Sequence, residues 1–298
     1  IVTEIGKIDG KAEQEIDANG QTVTPGFVDI HTHYDAQLLW DKAMSISPWH
    51  GVTTVVIGNC GFGIAPVRRV HRELILRTLE RVEGMSFDAL KKGLGEEWGY
   101  QTFPEYLDLI EARGTAINVG VLLGHTPIRF EAMGEDAVRR ESSPDEMKIM
   151  ENIVREGMEV GGLGFATSQA PTHHGFDGHP VPSRLASMKE LDELINAMTD
   201  SGRGLLQATV GRKLFHDQFR FLAHKHDIPI TWTALLAGMS GPGSHRRHQS
   251  QASELVREGL NVVPQISCRP LNFDFDFKIL LISWKKKPIR LHFGETKD

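Results

Sequence analysis

Two histidines one residue apart, His31 and His33 in the segment DIHTH, carry the sharpest chemical signal in this chain. On an extended strand, residues i and i+2 share one face, so both imidazoles can reach a single metal ion. A cysteine, Cys60, follows the apolar run TTVVIGN (53–59). As a thiolate it could join the two histidines on zinc. As a thiol it would be a small buried apolar side chain, the usual state of a lone cysteine. Gly61 and Gly63 beside it permit close backbone approach. The segment GHTPIRFEAMG (124–134) offers His125 as a lining residue and Arg129 as a cation. Arg129 could clamp a substrate carboxylate through paired N–H groups, or be a solvated loop arginine. His173, His174 and His179 in SQAPTHHGFDGHPVPSR (168–184), and His245 and His248 in SGPGSHRRHQS (240–250), could line a pocket or face water. The second H-x-H pair, His224 and His226, ends a helical pattern, where i, i+2 spacing does not face one way. It reads as surface.

The elements that must position these groups follow a simple rhythm. Strand-like runs occur at 25–33, 53–59, 116–125, 162–168, 204–210, 229–235 and 261–267. Helical patterns lie between them, near 36–46, 67–83, 102–113, 144–159, 187–202, 215–226 and 249–258. In SPDEMKIMENIVREGMEVGG, Ser143-Pro144 opens a helix, Met147, Met150, Ile153, Val154 and Met158 form its apolar face, and Gly161-Gly162 ends it. Strand–helix alternation predicts a parallel sheet with helices outside. Seven units point to a (β/α)8-type TIM barrel, and GNCGFG (58–63) lacks the spacing of a dinucleotide-binding turn. In such a barrel, the C-terminal strand ends carrying His31, His33 and Cys60 form the active face. Residues 1–24, with Asp9-Gly10 and Asn19-Gly20 as turn signals, read as a small β segment of a partial β-sandwich. The barrel spans 25–270. Residues 271–298 read as a divergent or truncated tail with one β-like run, Ile279–Trp284, and no helix after it.

Composition narrows the class of function. The chain has 298 residues and a net charge of −6, which argues against a nucleic-acid partner. No apolar run approaches the ~20 residues of a membrane span. Two cysteines, Cys60 and Cys268, make no disulfide framework. A small-molecule substrate and a cytoplasmic setting are expected. The chain opens at Ile1-Val2 without an initiator Met, so a piece of a longer protein is expected.

Taken together, PGFVDIHTHYDAQ, GVTTVVIGNCGFGIAPVR and GHTPIRFEAMG resemble the amidohydrolase superfamily, and more narrowly its D-aminoacylase (N-acyl-D-amino-acid deacylase) branch. The resemblance runs from about residue 1 to 270. It implies zinc, with His31, His33 and Cys60 at ligand positions and Arg129 as the nearest match to a carboxylate-binding arginine. It implies hydrolysis of C–N bonds in non-peptide amides, with a carboxylate after strand eight as general base. It also implies further histidines after strand five and on strand six, where Val210 and Trp232 stand here. GLGFATS on strand four offers no lysine for a bridging carbamate, and Asp274 and Asp276 do not match the strand-eight context. One zinc at most is therefore expected, with an open coordination position, and the catalytic group is left unassigned. The alternative is a catalytically impaired barrel that binds a small carboxylate without turnover.

Overall fold

The computed structural model describes residues 2–238 and 241–268. Seven parallel strands form one sheet in chain order: β1 (Phe27–Asp29), β2 (Val52–Ile57), β3 (Asn118–Gly124), β4 (Gly164–Ser168), β5 (Leu206–Thr209), β6 (Ile230–Thr233) and β7 (Val262–Pro264). Each matches a strand expected from the sequence. The helices of the described residues are α1 (Arg72–Glu83), α2 (Phe87–Leu94), α3 (Phe103–Arg113), α4 (His125–Met133), α5 (Pro144–Glu159), α6 (Met188–Thr199), α7 (His216–His226) and α8 (Ser244–Arg257). The sheet curls: the Nδ1–H of His31, just past β1, donates to Oε1 of Gln265, just past β7, at 2.6 Å. This is the α/β architecture of a TIM-type barrel.

Local chemistry explains where the helices begin. Thr102 and Ser143 each accept a hydrogen bond from the third backbone N–H of α3 and α5, and Glu105 and Glu146 bond back, with proline in each first turn. The inward face of α5 buries Met150, Val154 and Met158 completely. Each such side chain contributes roughly 1.5–3 kcal/mol of transfer free energy.

Three expectations are corrected. The pattern at 36–46 does not form an α-helix, only short 3-10 turns at Gln37–Leu39 and Ser47–His50. The Asp41 carboxylate accepts from the backbone N–H groups of Ala43 and Ser45 and from Gln37 Nε2, which draws the chain into a loop instead. Residues 2–26 form no strand. The turn at Asn19-Gly20 is present, both residues having positive φ. With no strand beside it, however, the segment leaves Ile5, Ile16 and Val23 exposed. Third, 125–133 is a helix, starting directly from β3, where the sequence suggested a loop. The strand-like run at 279–284 and the rest of the tail lie outside the described residues.

Candidate metal centre

The site is built from two strand exits. After β1, Thr32 is fixed to β2, its Oγ1 donating to Val56 O at 2.8 Å, so that His31 and His33 flank it. After β2 the chain makes a tight turn, Gly58-Asn59-Cys60-Gly61. Cys60 itself is left-handed (φ 59°), a strained conformation for a residue with a Cβ. Gly58 and Gly61 also have positive φ, and a Cβ there would meet Leu122 O at 2.2 Å and Ala166 O at 2.9 Å. The turn therefore packs directly on the backbones of β3 and β4. The Cys60 N–H donates to Gln207 Oε1 of β5 at 2.6 Å.

Cys60 Sγ lies 3.3 Å from His31 Nε2 and 3.9 Å from His33 Nε2, and the three ligand atoms lie within 4.8 Å of one another. Tetrahedral zinc, with its usual bond lengths, sets sulfur and nitrogen ligands about 3.5 Å apart. The outer nitrogen of His31 is held too. His31 Nδ1 is bonded to Gln265, which also accepts from Thr233 Oγ1 at 2.6 Å. Gln207 Nε2 donates to Thr233 Oγ1 at 3.2 Å, completing a polar chain across the barrel interior. Glu83 Oε1, at the end of α1, is 3.1 Å from His33 Nδ1, off the axis of that nitrogen's N–H. A protonated Nδ1 on each ring leaves both Nε2 lone pairs aimed at the thiol.

The electrostatics suit a cation. Burial, reinforced by His31 and His173, holds His33 down to about 3, and burial lowers His31 as well. Burial pushes the Cys60 thiol up to about 12, Asp35 up to about 7 and Glu83 up to about 8. Two neutral imidazoles and a thiol, ringed by carboxyls that lack a counter-charge, form a donor set of the nitrogen–sulfur type that suits zinc rather than magnesium or calcium.

The amidohydrolase family profile matches residues 14–230, well over half of the chain. This chain belongs to the amidohydrolase family. Its likeness runs to the D-aminoacylase branch. D-aminoacylase of Alcaligenes xylosoxydans xylosoxydans is 31% identical over 159 residues, 53% of this chain and 30% of that protein. N-acyl-D-glutamate deacylase of the same organism is 30% identical over 198 residues, 66% of this chain and 35% of that protein. Among solved structures, a D-aminoacylase matches with a TM-score of 0.63 at 23% identity. N-acyl-D-glutamate deacylase from Bordetella bronchiseptica, complexed with zinc and a phosphonate inhibitor, matches with 0.61 at 21%. Each covers 80% of this chain and 46% of the other, and shows a shared fold. The chain spans about a third of the length of the curated relatives it matches.

In the structure, His125 and Arg129 do not join His31, His33 and Cys60. They sit between the sheet and the helix layer. The Arg129 guanidinium is fully buried, with Nη1 2.5 Å from both carboxylate oxygens of Glu190 on α6 and Nη2 donating to Ala137 O and Arg140 O. A substrate carboxylate would have to displace Glu190 to reach it. His125 donates through Nε2 to Glu190 and accepts from Thr167 Oγ1, both at 2.8 Å. Burial keeps His125 neutral; burial alone would also raise Glu190, but His125 and Arg129 together pull it down to about 2.

Strand alternation resolves the two departures on β5 and β6. On β6, Thr233 faces the site, bonded within the Gln207–Gln265 chain, so Trp232 faces the helices and packs on Phe215 and His216. Position 232 is thus not an inward position here, and Gln207, Thr233 and Gln265 line the interior instead. Val210 lies beyond the end of β5 and packs on the core.

Of the loop histidines, His173 reaches the site. Its Nδ1 is 2.7 Å from Ser168 Oγ, and its ring packs on Phe62, which packs on His33. His174 is exposed and His179 packs on Phe176. His245 and His248 lie on α8, and His248 stacks near His216, behind β6. His224 is exposed as expected, whereas His226 is buried against Asp192 of α6 at 2.8 Å. A groove of about 760 Å³, lined by Thr53, Leu107, Glu111 and Asn118, lies at the opposite ends of β2 and β3 and shares no residue with the cluster. Among the described residues, no helix is long and apolar enough to cross a membrane.

Sequence reasoning missed Glu83, Gln207, Thr233, Gln265 and Arg184. Gln207 and Gln265 left a usable signal, a lone amide inside an apolar strand run. Glu83 and Arg184 left none.

Proposed function

We propose that the chain is the metal-binding part of a zinc-dependent hydrolase of C–N bonds in non-peptide amides, acting on N-acyl-D-amino-acid-like substrates. The observation that carries this reading is the convergence of His31 Nε2, His33 Nε2 and Cys60 Sγ at the C-terminal face of the barrel. Family membership supports it, as does the zinc and phosphonate in the related N-acyl-D-glutamate deacylase. His31, His33 and Cys60 would hold one zinc with an open position. Zinc in such a setting polarises a carbonyl and lowers the pKa of water toward ~7.

The chain's own groups supply the rest. Gln265 holds the His31 ring, and Gln207 holds the Cys60 turn. Phe62 and His173 wall one side and exclude water from it. Arg184 replaces Arg129 as the group for the substrate carboxylate. It is half-buried, bonded only to His173 O at 3.0 Å and His174 Nε2 at 3.5 Å, and no acid pairs with it among the described residues. Its charge is desolvated without compensation, which lowers its pKa. A carboxylate arriving there would gain paired N–H donors.

The test is release of free amine from N-acyl-D-amino acids by zinc-loaded protein, with His31→Ala as control. Turnover lost in His31→Ala supports the reading. Zinc binding and carboxylate binding without turnover would favour the impaired barrel instead.

A further inference from the structure

The exit of β4 carries a serine–histidine pair whose polar atoms take no part in the zinc site. Ser168, the last residue of β4, is fully buried. Its Oγ accepts from the backbone N–H of Ala170 at 3.2 Å and lies 2.7 Å from His173 Nδ1. A backbone N–H can only donate, so the serine keeps its one proton for Nδ1. The proton of the neutral imidazole then sits on Nε2. Among the described residues Nε2 makes no hydrogen bond, and it is not one of the buried polar atoms left without a partner, so it opens to solvent. The ring itself is held: it packs on Phe62, and the His173 carbonyl accepts from Arg184 Nη1 at 3.0 Å. Burial, reinforced by Arg184 and His174, holds His173 down to about 4, so the ring is neutral near pH 7.

We propose that His173 is a catalytic residue: its Nε2–H donates to the acyl carbonyl oxygen of the substrate, and Ser168 fixes the tautomer that makes it a donor. The assignment rests on the proposed hydrolysis of N-acyl-D-amino acids with Arg184 as carboxylate anchor. Anchor and donor share one loop and one hydrogen bond, from Arg184 Nη1 to His173 O. In an N-acyl amino acid only the α-carbon and the amide nitrogen separate the carboxylate from the acyl carbon. A carboxylate on Arg184 therefore brings the acyl oxygen beside the His173 ring. Phe62, on which both His173 and His33 pack, keeps that ring next to the metal cluster. A neutral imidazole suits the task. It stabilises an oxygen that gains charge in the transition state, and it keeps its own proton. The pair is not a nucleophile with its base, because Ser168 is enclosed and cannot meet a substrate.

The experiment combines histidine nitrogen NMR with kinetics of the zinc-loaded chain and its His173→Ala, His173→Gln and Ser168→Ala variants. In the wild-type spectrum at pH 7, His173 should carry its proton on Nε2, and in Ser168→Ala the two tautomers should mix. His173→Ala should lower kcat for N-acyl-D-amino acids about 10²- to 10³-fold with KM little changed. His173→Gln, which keeps a side-chain N–H, should recover part of that loss, and zinc content should be the same in all variants. The second measurement is affinity for a phosphonate mimic of the tetrahedral intermediate, which His173→Ala should weaken about 10- to 100-fold. A proton on Nδ1 in the wild type, unchanged kcat and phosphonate affinity in His173→Ala, or an effect on KM alone would overturn the assignment. If the wild type takes up zinc and turns over substrate while His173→Ala matches it, only the role of His173 fails. A wild-type chain that binds neither zinc nor the phosphonate removes the hydrolase reading and this assignment with it.

Discussion

The backbone N–H of Cys60 donates to the side-chain Oε1 of Gln207 at 2.6 Å, across the barrel interior from β5 to the turn after β2. A residue held in a strained left-handed conformation thus has its N–H satisfied by a side chain 147 positions away. Replacing Gln207 with Leu keeps the volume but leaves that buried N–H unpaired, at a cost of about 1–3 kcal/mol. Urea denaturation should show this loss, and zinc affinity should fall with it, because the thiol is no longer held. A Gln207→Leu variant as stable as wild type would show that the turn holds itself.

Arg129 behaves as scaffold. Removing one partner of a buried pair leaves the other charge stranded, and Arg129→Ala should destabilise the protein by about 3–5 kcal/mol. Its zinc affinity, measured on the folded fraction, should be unchanged. The pH dependence follows from Glu190, whose pKa is depressed to about 2 in the fold from an ordinary 4.5. A depressed carboxylate contributes stability that is fully present above its unfolded pKa and is lost as pH falls through its folded one. Arg129→Ala should therefore raise the pH at which acid unfolding begins. Wild-type stability with a large rise in KM would instead restore Arg129 as a substrate group.

Arg184 carries the opposite expectation. Arg184→Ala should raise KM for N-acyl-D-amino acids about 10- to 100-fold, the scale of a lost charged hydrogen-bond pair, with kcat little changed. Amides lacking the carboxylate should be insensitive to the change. Steady-state kinetics on the two substrate types separates these outcomes, and an equal effect on both would count against a carboxylate contact.

Zinc uptake should release protons. Burial raises the Cys60 thiol to about 12 and keeps His31 and His33 neutral, so near pH 7 the thiol proton must leave while the histidines give up none. Apparent zinc affinity should rise about tenfold per pH unit between pH 6 and 8. Calorimetry in buffers of different ionisation enthalpy measures the count directly. A pH-independent affinity would mean that Cys60 is not a ligand.

The strands were legible because their cause is local: a β-branched apolar run such as TTVVIG makes a buried parallel strand wherever it sits. His31, His33 and Cys60 were legible for the same reason, since strand period and strand end are properties of short segments. Arg129 was misleading because nothing near it in sequence reveals Glu190, 61 positions on. The helix at His125–Met133 was obscured by Gly124 and Pro127, which read as loop but fit a helix start. Trp232 stood where the resemblance implied a histidine, and only the observed register shows that its side chain faces the helices. Glu83 and Gln265 reach the histidines only through tertiary folding.

The central claim is that His31, His33 and Cys60 together hold one zinc ion. Metal analysis of the purified chain, dialysed against zinc and compared with His31→Ala, His33→Ala and Cys60→Ala, tests it most directly. The account predicts one equivalent of zinc in the wild-type protein and a large loss in each folded variant. A wild-type protein without zinc, or three variants that retain it, would contradict the account.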